Sequence, residues 1–266
     1  MNLDIDILYR QHLADSDRRV LRSLGADEGR DLEAVLSDPA LEEALLSPEG
    51  HTELAHTSPF LTFAVAVHRT AARLGTATYV EERWAPRRRV PVFDVGPMRD
   101  LLAAAERRFF LVELLASYTH VASGATWQRT RRGWRRRRFS ELDPVRLAEL
   151  LEVVPAPEQA GIYRRLGDLA LFLTGVFPDH IGLAPSATDR LLRLSGWRLA
   201  PEDRPGTPEL LESLGRRWYR LAASRALAPL PVVAEISERF VDARRVLNVV
   251  TDWYLFPLRD QWFGRV

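Results

Sequence analysis

The chain has 266 residues and a formal net charge of +1, with 46% apolar and 27% charged residues, the profile of a globular protein able to bury a sizeable core. It contains no cysteine, which excludes disulfides, thiolate catalysis and cysteine-ligated zinc or iron–sulfur sites. All 37 basic residues are arginine; codon bias is enough to explain that, so arginine informs only where it clusters.

Helical spacing dominates from the start. Leu3 to Leu24 reads as one helix stopped by Gly25, followed by short amphipathic pieces at Leu32–Leu36 and Leu41–Leu46. The acidic beginning, Met-Asn-Leu-Asp-Ile-Asp, lacks the basic flank and apolar stretch of a signal peptide. The longest apolar runs, Phe60–Val67 and Leu169–Phe177, are less than half of the roughly 20 residues a spanning helix needs, so a cytoplasmic protein with no membrane partner is expected. Ser58-Pro59 is a cap followed by proline and opens a helix over Phe60–Leu74. Between Tyr79 and Gly96 the pattern weakens into a loop or edge strands.

Pro97 starts a helix to about Ala122, apolar on nearly every side around Phe109–Leu115, as a central bundle helix would be. Asp143-Pro144 opens Val145–Val154, and a helix from Glu158 to Phe177 ends at Pro178. Ser186 with Asp189 resembles a capping box for Thr188–Leu194. Thr207-Pro208 opens a helix to about Leu227, and Pro231 a long one to about Phe256. The expected fold is mainly α, a bundle of about eight to ten helices in one domain over residues 1–266, with a weak boundary near 140–145 and one small arginine-rich antiparallel β-hairpin.

That hairpin is the most informative stretch. Trp127 to Phe139 holds Arg129, Arg131, Arg132, Arg135, Arg136, Arg137 and Arg138 and no acid, so a +7 segment sits in a chain whose remainder sums to −6. Strand-prone Thr126, Trp127, Thr130, Trp134 and Phe139 surround Arg132-Gly133, which reads as a two-residue turn. This register pairs Arg131 with Trp134, Arg129 with Arg136 and Trp127 with Arg138. One face then carries Trp127, Arg129, Arg131, Trp134, Arg136 and Arg138; the other carries Thr126, Gln128, Thr130, Arg135, Arg137 and Phe139. Arginine opposite arginine destabilises a sheet, so an anion is expected to relieve the pair, either from the chain's own acids such as Glu141 and Asp143 or from an external polyanion.

Several ionisable residues interrupt apolar runs: His68, Glu113, Asp168 and Asp252. Glu113 and Asp168 are expected to be buried and paired with cations, with Arg69, Arg107 and Arg165 nearby in sequence. Glu53-Leu-Ala-His56 matches one Glu-x-x-His step of di-iron bundles but occurs once, before a proline. Phe172 to His180 ends an apolar helix on an Asp179-His180 pair that could line a pocket. No catalytic motif, cofactor or metal signature is present.

The function expected from these residues is non-enzymatic nucleic-acid or other polyanion binding, as an accessory or regulatory protein, through Arg129, Arg131, Arg132, Trp134, Arg135, Arg136, Arg137 and Arg138. One alternative is a protein-interaction or assembly subunit. Its hairpin would dock an acidic partner, and its aromatic C-terminus (Trp253, Tyr254, Phe256, Trp262, Phe263) would support a homo-oligomer. Another is a small enzyme with an acid/base or metal site built from Glu113, His120, Asp168 and His180.

Overall fold

The computed structural model describes residues 5–25, 31–46, 57–85, 88–119, 123–130, 133–178, 181–197 and 205–256. The fold is mainly α-helical, with two two-stranded sheets among the described residues. The chain gathers into two compact units, one drawn from residues 1–82, 89–119 and 245–265, the other from 83–88 and 120–244.

The first unit contains α1 (Ile5–His12), α2 (Asp15–Ser23), α3 (Leu32–Leu36), α4 (Pro39–Leu46), α5 (Pro59–Leu74), α6 (Gly96–Ala103) and α7 (Ala105–Ser117). At its centre, α5 buries every residue from Phe60 to Val67. Its start is doubly fixed. Ser58 Oγ accepts the Leu61 amide at 3.2 Å, and the fully buried Asp17 carboxylate accepts the Ser58 amide at 2.6 Å and its hydroxyl at 2.7 Å. Asp17 also accepts the Ala14 amide at 2.8 Å, which starts α2 and breaks the single helix expected over 3–24.

A second expected helix is also broken. Ala104 adopts φ −88° and ψ 131°, separating α6 from α7. The carbonyls that α6 leaves open are taken by arginines of the next helix: Arg107 Nε donates to Leu101 O at 2.7 Å, and Arg108 to Leu102 O at 2.6 Å. Between α5 and α6 lie β1 (Val80–Ala85) and β2 (Arg88–Val92), the edge strands the weak alternation suggested. Arg88, Arg89, Val90 and Pro91 are all exposed, and charge with proline on a free edge discourages further pairing.

The second unit holds β3 (Ser123–Thr130), β4 (Gly133–Ser140), α8 (Pro144–Ala148), α9 (Gln159–Val176), α10 (Pro185–Leu194), α11 (Thr207–Arg225) and α12 (Pro231–Glu238). A thirteenth helix, α13 (Phe240–Val250), begins in this unit, continues into residues of the first and ends in a π-helical turn over Thr251–Leu255. The core of the unit is α9 against α11, brought close by glycine. A Cβ on Gly167 would fall 2.5 Å from the Tyr219 ring, and one on Gly215 2.5 Å from the Phe240 ring and 2.9 Å from Ala170 Cβ. Phe240 is fully buried and follows the break at Arg239 that divides the helix expected from Pro231 to Phe256. Asp143 caps α8 as its sequence suggests. The Ser186–Asp189 box does not form: α10 starts at Pro185 after Ala184, so Ser186 lies inside the first turn.

Candidate nucleic-acid interface

β3 and β4 form the antiparallel hairpin, in a register that differs by two residues from the expected one. Gly133 is not in the turn; it stands at the start of β4 opposite Thr130, and the two connecting residues, Arg131 and Arg132, lie outside the described residues. Trp127 pairs Arg136, Arg129 pairs Trp134, Gln128 pairs Arg135, Thr126 pairs Arg137 and Ala125 pairs Arg138.

The correction changes the electrostatics more than the geometry. A slip of two residues preserves both faces, because side chains alternate with a period of two. Trp127, Arg129, Trp134, Arg136 and Arg138 therefore still share one face, and Thr126, Gln128, Thr130, Arg135, Arg137 and Phe139 the other. The expected Arg129–Arg136 opposition does not occur. Every arginine of the two strands stands opposite Trp, Gln, Thr or Ala, so the strand pairing itself demands no neutralising anion.

The acids that follow the hairpin have partners among the described residues. Asp143 Oδ1 accepts the Val145 and Arg146 amides at 3.0 and 3.1 Å, and its Oδ2 meets Arg146 Nε at 3.1 Å. Glu141 pairs with Arg165 of α9 at 3.2 Å.

The ionisable residues of the apolar helices resolve differently. Asp168 is buried as expected; it accepts a 2.8 Å hydrogen bond from the Tyr219 hydroxyl, with Arg164 Nε at 3.9 Å. Glu113 is not buried. Its side chain is 38% exposed, on a stripe with Glu106 and Ser117 at helical spacing, and it meets His12 Nε2 at 3.7 Å. His120, Asp179 and His180 lie outside the described residues, as do Glu53 and His56. Among the described residues no group of three or more metal-ligating side chains converges. His68 is buried and shares a 3.0 Å hydrogen bond with the Tyr9 hydroxyl. Burial, helped by the nearby Arg108 guanidinium, pushes the imidazole down to about 3, and burial pushes the Tyr9 hydroxyl up.

Of the aromatic C-terminus, Tyr254 is buried, Trp253 lies under the Arg73 guanidinium at 4.1 Å and Phe256 is half-exposed, while Trp262 and Phe263 lie outside the described residues. Sequence reasoning missed a second concentration of arginine in this unit. Arg83 and Arg244 are both buried, beside Thr174 and Glu212, with Arg244 Nε 3.2 Å from the Glu212 carboxylate. Nothing local announces it, since the residues come from four separate segments.

Among the described residues no helix is long and apolar enough to cross a membrane. No protein family, curated protein or solved structure matches the chain.

Proposed function

We propose that the protein is a non-enzymatic accessory or regulatory protein that binds nucleic acid through the β3–β4 hairpin. Arg129, Arg135, Arg136, Arg137 and Arg138 on the strands and Arg131 and Arg132 between them would grip phosphates, and Trp134 would stack on a base. One observation carries the reading: the register keeps all five strand arginines from facing one another, so the hairpin can pair its strands without internal acids and leave its charge for an external anion. Contacts of this kind are dominated by phosphate and carry little sequence preference.

The test is fluorescence anisotropy of labelled single- and double-stranded oligonucleotides at low salt. Saturable binding with little dependence on sequence is expected. Absence of binding at low salt overturns the proposal and leaves docking of an acidic protein surface by the same arginines as the next hypothesis.

A further inference from the structure

A groove of about 230 Å³ opens in the first unit between α2, α3 and α4. Its floor is apolar, with Leu21 and Leu24 from the end of α2, Val35 from α3 and Leu41 from α4. Leu24 is 43% exposed, so this apolar surface is open to solvent. Asp31 and Asp38 also line the groove, and both are exposed. Each uses one carboxylate oxygen to start a helix: Asp31 Oδ1 accepts the Glu33 amide at 3.1 Å, and Asp38 Oδ1 the Ala40 amide at 2.9 Å. Neither is paired with an arginine among the described residues.

The charge of the region has one sign. Residues 31–46 include Asp31, Glu33, Asp38, Glu42 and Glu43 and no base. Glu33 and Glu42 are answered within the unit, by Arg108 at 2.6 Å and Arg69 at 2.5 Å. The partial positive charge of a helix start, about half a unit, does not cancel a full carboxylate, and the end of α2 adds partial negative charge of its own. Arg22, in the last turn of α2, is exposed and is not part of the lining.

We infer that this groove binds a small organic cation. Its ammonium or guanidinium group is held by Asp31 and Asp38, and its short aliphatic body lies on Leu21, Leu24, Val35 and Leu41. The volume is below the roughly 300–1,000 Å³ of sites for drug-sized ligands, which sets the size class. A neutral or anionic molecule of the same shape covers the same floor but gains nothing from the carboxylates.

The experiment titrates hexylammonium, hexanol and hexanoate against the full-length protein at low salt, followed by ligand-observed NMR. Hexylammonium should bind with a Kd on the order of 1 mM, as befits so small a ligand. It should bind tighter than hexanol by between about 2-fold and about 30-fold, the range of two exposed ion pairs, with hexanoate weaker than either. Raising the salt to about 1 M should shrink that preference. Asp31→Asn with Asp38→Asn keeps both caps, because asparagine caps as well as aspartate, and should bring hexylammonium down to the affinity of hexanol. Leu24→Ser should weaken hexylammonium and hexanol alike and leave their ratio unchanged. No saturable hexylammonium binding, equal wild-type affinity for hexylammonium and hexanol, or a double Asn variant that keeps the preference would each overturn the proposal. The groove shares no residue with the hairpin, so its failure leaves the nucleic-acid reading untouched.

Discussion

Helix α9 and the β3–β4 hairpin handle charge in opposite ways. In α9 a single carboxylate, Asp168, stands in an unbroken buried run from Leu166 to Val176, and the fold answers it with the Tyr219 hydroxyl at 2.8 Å and Arg164 at 3.9 Å. The hairpin carries seven arginines between Trp127 and Phe139 and no acid, and its register sets no strand arginine directly opposite another. An ionisable group inside a core needs a partner supplied by its own chain. One on a ladder needs only not to face its like.

The largest expected effect breaks the α9 side of the comparison. Gly215 lets the Phe240 ring and Ala170 approach the α11 backbone, and Gly215→Val would drive a branched side chain into both. The cost should be about 3 kcal/mol, read from the urea midpoint, despite the glycine removed from a helix. A loss below about 0.5 kcal/mol would show that the close packing is not what holds α9 to α11.

His68 offers a second core group, kept neutral by burial. Its folded value near 3 lies below the ~6.5 of the unfolded chain, so below about pH 6.5 the unfolded state takes up a proton that the native state refuses. Its contribution is complete above that pH and is lost toward pH 3 at up to about 1.4 kcal/mol per pH unit. Between pH 6.5 and pH 5, the fall in unfolding free energy should therefore be about 2 kcal/mol smaller in His68→Leu than in the wild type. Equal slopes in urea titrations of the two proteins would contradict the assignment of a buried neutral imidazole.

The sequence made legible what local chemistry controls. The Ser58-Pro59 and Asp143-Pro144 starts are side-chain caps, and both form. The faces of the hairpin were legible because alternation survives a two-residue slip. Its register was not: Gly133 suggested a turn position, whereas it opens β4 opposite Thr130, and strand pairing rather than turn propensity decides its place. The breaks at Ala104 and Arg239 carry neither glycine nor proline. They depend on Arg107 and Arg108 reaching back to the carbonyls of α6 and on Phe240 packing over Gly215. Asp17 was invisible for the same reason, since its partner Ser58 lies 41 residues away.

On the hairpin side the expected effect on stability is the smallest and the effect on binding the most direct. Arg136→Ala with Arg138→Ala removes two charges from the Trp-bearing face and should leave the fold intact. Arginine–phosphate contacts release counterions, so wild-type affinity should fall linearly in log–log form with salt, by about 0.7 to 0.9 for each phosphate neutralised. Titrating both proteins with the same labelled oligonucleotide from low to physiological salt should give a slope about two units shallower for the double variant, with weaker binding at low salt. A double variant with the slope and affinity of the wild type would contradict the assignment of the hairpin as the phosphate-binding surface.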